Sequence, residues 1–290
     1  MKDKLVSKEM IRGMHPGFRG CFGNTLIKIL SAFSGINKLN AVYDASKHLT
    51  GLDFVNDMTE KLGITCRYVN RETLELLKGE SFITVSNHPY GHLDGIIEIG
   101  AIGAVRPDYK MMVNWVLMQI DTMEDFFIGV NPFPKNNKMS TVKSSVGGIK
   151  QCLDHLRNGH PLGFFPSGGI SLPHLRGGPE DAEWKESVLK IIKKAKVPIV
   201  PVYISGGNSW FYQLLGYIGW RVRTVRLLHE VTNKKGKTVS VSFGTPVSVE
   251  QQNEYEDIRE FGRFLKSKVY EMRRGCQKSV DTPLTLKTQS

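Results

Sequence analysis

The sequence predicts a single α/β domain with a mostly parallel sheet flanked by helices. Three observations point there. Short apolar runs of the kind that form strands buried on both faces recur along the chain. Segments with apolar residues at helical spacing lie between them. Three of the runs end in a polar or glycine-rich break, and open α/β sheets bind ligands at the carboxyl ends of their strands.

The elements follow in order. From Asn24, a helix N-cap by residue type, residues 24–46 read as helix, with Leu26, Ile29, Leu30 and Phe33 on one face. Residues 51–63 read as a second helix. "ITCRYV" and "FITVSN" read as strands, and "IEIGAIGAV" as a helix that begins just past a polar turn. "FFIGV", "LGFFPSG" and "VPIVPVYI" read as buried strands. Between them, Ile149, Cys152, Leu153 and Leu156 share a helical face, as do Trp184, Val188, Leu189 and Ile192. "RVRTVRLLHEV" and "TVSVSFG" flank "NKKGK", which reads as a hairpin tip. A last amphipathic helix carries Ile258, Phe261, Leu265, Val269 and Met272. The expected division is a helical region over 1–70, a core over 71–250, a C-terminal helix over 251–276 and a flexible tail over 277–290.

Composition bounds the function. The chain has 290 residues, 40% hydrophobic and 23% charged, which is enough to bury a full core. Its net charge of +11 implies an anionic partner: nucleic acid, an acidic membrane surface or an acidic substrate. No zinc-finger, RNP or helix-turn-helix signature accompanies the charge, so nucleic acid is not expected. Four scattered cysteines fit a reduced, cytoplasmic chain. The first residues lack the apolar core of a signal peptide, and no run of 18 apolar residues is long enough to span a bilayer.

The three breaks are "SNHPYGHLD", "FPSGG" and "YISGGNS". The first sets His88 at a strand end and Asp94 at a helix start. Histidine takes a hydroxyl proton near neutral pH, and a carboxylate on its far nitrogen fixes the tautomer. Two other readings stay open. Asp94 as an N-cap beside a strand-ending histidine would be structural only. His88, His92 and Asp94 as metal ligands would make a metal-dependent hydrolase, although Pro89 forbids the helical i, i+4 geometry.

The segment "SNHPYGHLDG" resembles the N-H-x4-D motif of the glycerolipid (lysophospholipid) acyltransferase family, with one extra residue. It fits the N-H-P-x-G-x-x-D-G form of a subgroup found next to hemolysin-like acyltransferases. "EDFFIGV", "FFPSGGIS" and "VPIVPVYISGGNS" stand, in family order, where that family has G-x-x-F-I-x-R, F-P-E-G-T-R-S and V-P-I-V-P-V. The similarity covers roughly residues 35–250.

The resemblance implies the glycerol-3-phosphate acyltransferase-like fold, with His88 as general base and Asp94 orienting it. The acyl donor would be a thioester of coenzyme A or acyl-carrier protein, with no other cofactor and no metal. Asn87 and the Ser167, Gly168 and Gly169 turn would line the substrate site; Gly168 and Gly169, which follow a strand and lack side chains, are candidates to turn N–H groups to the oxyanion, or form only a tight turn. His92 reads as a pocket-wall or solvated residue rather than the base. Val130 and Ile170 stand where the family places arginines that grip the acceptor's phosphate, and Ser167 replaces its glutamate. Lys135 or Arg176 are the expected substitutes. Alternatively the acceptor is not a phosphate-bearing lysolipid but an N-(3-hydroxyacyl) amino acid.

Trp210, Phe211, Tyr212, Leu214, Leu215, Tyr217 and Trp220 precede Arg221, Arg223 and Arg226. Aromatics beside cations suit an anionic membrane surface. The other reading puts the aromatics in the core and the arginines on a solvated strand. The expectation is a peripheral enzyme on the cytoplasmic side of the inner membrane.

Overall fold

The apolar runs become strands of one sheet. The computed structural model describes residues 4–14, 21–130, 139–174, 178–273 and 275. Its strands are β1 (Thr65–Val69), β2 (Ile83–Ser86), β3 (Lys110–Asn114), β4 (Phe127–Val130), β5 (Leu162–Phe164), β6 (Ile199–Ile204) and β7 (Thr238–Phe243). They lie side by side in the order β1-β7-β6-β2-β5-β3-β4. β6, β2, β5, β3 and β4 run parallel, and β7 pairs antiparallel with β6 and parallel with β1. β2 therefore sits near the middle, with β6 and β5 on either side. Its four residues are fully buried, which is why Ile83 to Ser86 shows no polar alternation.

Helices cover both faces. α1 is Lys8–Met14, α2 Cys21–Ser34, α3 Ile36–Ser46, α4 Gly51–Lys61, α5 His92–Gly103 and α6 Met139–Arg157. α7 is Glu186–Ala195, α8 Trp210–Ile218, α9 Trp220–Thr232, α10 Val249–Asn253 and α11 Ile258–Glu271. On one face, Phe54 and Met58 of α4 and Leu93, Ile97 and Ile99 of α5 join a core with Val200, Val202 and Val241. On the other, Val188, Leu189 and Ile192 of α7 meet Phe261, Leu265 and Val269 of α11 over Ile83, Val85 and Phe164. Each of these fully buried side chains contributes about 1.5–3 kcal/mol.

Three expectations need correction. The helix over 24–46 is two helices, broken at Gly35, whose φ is 72°. A Cβ there would come within 2.8 Å of the His229 backbone. Asn24 lies inside α2 and accepts a hydrogen bond from Arg12 rather than capping the helix. Residues 221–231 are not a hairpin strand but belong to α9. β7 already has β1 and β6 on its two edges, and Leu227, Glu230 and Val231 are buried at helical spacing. β3, unread in the sequence, fills the gap between β5 and β4. β1 is the run "ITCRYV", read as a strand.

Candidate active site

β2 delivers Ser86 and Asn87 to the carboxyl edge of the parallel strands, and α5 leaves that edge at His92. The turn between them folds back because Gly91 adopts φ 86°, a conformation that L side chains rarely take. Asp94, in the first turn of α5, reaches back into it. One oxygen, Oδ2, accepts the N–H groups of Tyr90 at 2.9 Å and Gly91 at 2.8 Å. The same oxygen lies 3.0 Å from His88 Nδ1. The carboxylate sits off the ring N–H axis, so the contact is a close approach rather than a well-aligned hydrogen bond. The carboxylate that caps this turn is thus the same one that lies beside His88.

Asp94 is fully buried, and His88 keeps 19% of its side chain exposed. Nδ1 is on the buried side, so the Nε2 edge faces out. The imidazole stacks on Phe165, centroids 4.2 Å apart and planes 28° apart. Burial pushes the Asp94 carboxyl pKa up, while His88 and the two backbone N–H groups pull it down. His92 opens to solvent on the first turn of α5. Among the described residues, no group of His, Cys, Asp or Glu is arranged to hold a metal.

The other two breaks close around this turn. Asn87 is spent on β6: its Nδ2 donates to the Ile204 carbonyl at 2.9 Å, and its Oδ1 accepts the Ile204 N–H at 2.7 Å. It splints the strand ends together. The loop after β5 lies against His88, with the Ser171 N–H donating to the His88 carbonyl at 2.8 Å. Ser167 Oγ donates to the Gly169 carbonyl at 2.7 Å and shapes the turn. The Gly168 N–H is taken by the Phe165 carbonyl. The Gly169 N–H makes only a 3.5 Å contact with Ser167 Oγ, so it is the less committed of the two. Ile170 packs against Gly91. Lys135 and Arg176 lie outside the described residues. Val130 ends β4, half-buried.

Sequence reasoning missed several residues at this edge. Asp181, buried, accepts the His88 N–H at 3.1 Å, the Ser171 hydroxyl at 2.6 Å and the Trp184 indole N–H at 3.1 Å. Nothing in "PEDAEW" announces it. Glu98 is wholly buried one turn beyond Asp94, and accepts from the hydroxyls of Thr84, Ser86 and Tyr109. A lone acid in the apolar run "IIEIGAIG" was a readable signal for such a group. Lys185 lies against Gly168, where an added Cβ would come 2.6 Å from its Nζ.

The aromatic stretch divides. Tyr212 and Leu215 are core, while Trp210, Phe211, Leu214, Tyr217 and Ile218 are exposed, Trp210 by 77% and Tyr217 by 80%. The arginines do not form a solvated strand. Arg223 donates to the Ser171 carbonyl at 2.9 Å, and Arg226 donates to the Phe33 carbonyl at 2.6 Å.

The chain is similar to known acyltransferases. The chain is 26% identical over 248 residues to a lyso-glycine lipid O-acyltransferase of Bacteroides thetaiotaomicron, covering 81% of this chain and 85% of that one. A lyso-glycine lipid O-acyltransferase of Phocaeicola vulgatus is 24% identical, covering 81% and 83%. The fold is similar to that of the 1-acyl-sn-glycerophosphate acyltransferase PlsC from Thermotoga maritima. That match has a TM-score of 0.51 and 17% identity, and covers 84% of this chain and 83% of that one. The sequence also matches the family described as Acyltransferase over residues 27–279. With a histidine and a buried carboxylate at the strand edge where that fold carries its ligands, the chain belongs to the acyltransferase family.

Proposed function

We propose that this O-acyltransferase moves a fatty acyl group from a thioester of acyl-carrier protein or coenzyme A to the hydroxyl of an N-(3-hydroxyacyl) amino acid. The observation that carries the reading is the His88 pair, with Nδ1 3.0 Å from buried Asp94 and the Nε2 edge turned outward. His88 Nε2 takes the acceptor's hydroxyl proton as the oxygen attacks the thioester carbonyl. The tetrahedral oxyanion meets the Gly169 N–H. Its collapse breaks the C–S bond and completes the ester, and the imidazolium returns its proton to the leaving thiolate. No further cofactor enters this scheme.

The choice of acceptor rests on two supports. Val130 and Ile170 are neutral where the resembled family carries phosphate-gripping arginines, and a phosphate brought to neutral residues is poorly compensated. The relatives at 26% and 24% identity are named for a lyso-glycine lipid. A peripheral place on the cytoplasmic side of the inner membrane suits the exposed aromatics of α8 and the +11 charge. Among the described residues, no helix is long and apolar enough to cross a membrane.

Purified protein is to be offered N-(3-hydroxyacyl)glycine and lysophosphatidate side by side with one acyl thioester. Faster transfer to the glycine acceptor is expected, with a loss of about 100- to 10,000-fold in His88→Ala. Faster transfer to lysophosphatidate overturns the acceptor, and near wild-type turnover by His88→Ala overturns the base.

A further inference from the structure

We propose that Arg223 and Gln213 bind the free carboxylate of the acceptor's amino-acid headgroup, and so select acidic acceptors over neutral ones. This rests on the acceptor reading above and names the residues that would enforce it.

Four observations converge on the pair. Arg223, half-buried on α9, makes no ion pair among the described residues. The nearest carboxylate on its own helix, Glu230, is occupied by Lys234 Nζ at 2.7 Å and by Ser209 and Asn233. Arg223 Nε and Gln213 Nε2 are both buried donors with no hydrogen-bond partner among the described residues. Buried donors are rarely left unpaired in native proteins, and a ligand is one reason for an exception. The two side chains are already together, Arg223 Nη2 lying 3.4 Å from Gln213 Oε1. The guanidinium is held over the Tyr212 ring, 4.8 Å from its centroid. A planar guanidinium fixed this way is suited to paired hydrogen bonds with a carboxylate.

The pair is also tied to the segment that carries the base. Ser171 donates its N–H to the His88 carbonyl at 2.8 Å, and its own carbonyl accepts from Arg223 at 2.9 Å. One residue therefore bridges the backbone of the base segment and the guanidinium. In an N-(3-hydroxyacyl)glycine, seven bonds separate the hydroxyl oxygen from a carboxylate oxygen, about 8 Å when extended. Leu227, one turn along α9 from Arg223, contacts the space over Gly91 together with Ile170. The same helix therefore borders the His88 turn. The cation absent at position 170 is supplied by α9.

The test compares N-(3-hydroxyacyl)glycine with its glycinamide, which has the same length and lacks the charge, using one acyl thioester. Wild type is expected to favour the acid in kcat/KM by about 10- to 100-fold, the range of a charge-assisted hydrogen-bond pair. In Arg223→Gln that ratio falls towards one, chiefly through a raised KM for the acid, and Arg223→Lys recovers part of it. Gln213→Leu lowers the ratio by a smaller factor and serves if Arg223→Gln does not fold. An arginine that merely braces the Ser171 loop would depress both acceptors alike and leave the ratio intact. That result overturns the proposal, as does a wild type that uses acid and amide equally. If wild type transfers to neither and takes lysophosphatidate instead, the acceptor reading itself fails and this inference falls with it.

Discussion

Replacing Asp94 with asparagine separates the charge beside the base from the geometry that holds it. A single oxygen, Oδ2, meets the N–H groups of Tyr90 and Gly91 and lies 3.0 Å from His88 Nδ1. An amide oxygen in that place keeps all three contacts. The amide nitrogen then falls where Oδ1 now lies, a buried position with no hydrogen-bond partner. Stability should drop by about 1–3 kcal/mol, the cost of one unpaired buried donor. The larger effect is on turnover, because the negative charge that stabilises the imidazolium is gone. A loss of about 100- to 10,000-fold in kcat is expected, about 3–5.5 kcal/mol of barrier, with KM changed by less than about threefold. Steady-state transfer by purified wild type, Asp94→Asn, His88→Ala and the double variant checks it. Asp94 acts through His88, so the double variant should be no slower than His88→Ala alone. Losses that multiply in the double variant would refute the reasoning, since they would give Asp94 a role independent of the base.

Further outcomes follow from other contacts. Burial raises the pKa of Glu98 above its ordinary 4.5, so the folded chain keeps a proton that the unfolded chain releases as pH rises past 4.5. Stability should therefore fall with rising pH up to the folded pKa, by at most about 1.4 kcal/mol per pH unit. Urea unfolding of wild type and Glu98→Gln should show wild type losing stability relative to the glutamine variant as pH rises, and a wild type that gains on the variant would reverse the sign. Gly91→Ala should cost about 1–3 kcal/mol, because alanine at φ 86° is strained whatever the space around it. Adding Ile170→Ala to make room should restore little of the lost melting temperature. Trp210→Ser with Tyr217→Ser should weaken binding to anionic vesicles at high salt at least about tenfold. Unchanged binding would place the membrane contact elsewhere.

The sequence made the strands legible where a run was buried on both faces, as in "FITVSN" and "VPIVPVYI", because such runs have no polar interruption to blur them. It failed where tertiary context decided. "RVRTVR" alternates like a strand, yet both edges of β7 were taken by residues 65–69 and 199–204, and the segment had no strand to join. The His88 and Asp94 pairing was legible because both partners lie on one short turn. Asp181 was not, because it acts across 93 residues and its neighbours in the chain give no pattern. Arg223 was misread for the same reason, its partner Ser171 being 52 residues away.

The long-range contacts explain how His88 is held. Besides Phe165, Asp94 and Ile170, four neighbours grip the His88 turn through peptide groups. Asn87 is bonded to the Ile204 peptide on β6, the Tyr90 carbonyl accepts from Asn208, and Asp181 and Ser171 hold the His88 peptide from the other side. None of these contacts uses the side chains at 130, 170 or 223. The reacting group is therefore fixed by the strand ends, while the residues that would meet the acceptor's headgroup sit on a loop and a helix beside it. A change at position 170 from a cation to isoleucine alters what the site attracts without moving the imidazole. An acyltransferase built this way can lose its phosphate grip and keep its chemistry, provided another donor faces the same space. On this fold the element positioned to offer one is α9, because Leu227 already shares the volume over Gly91 with Ile170.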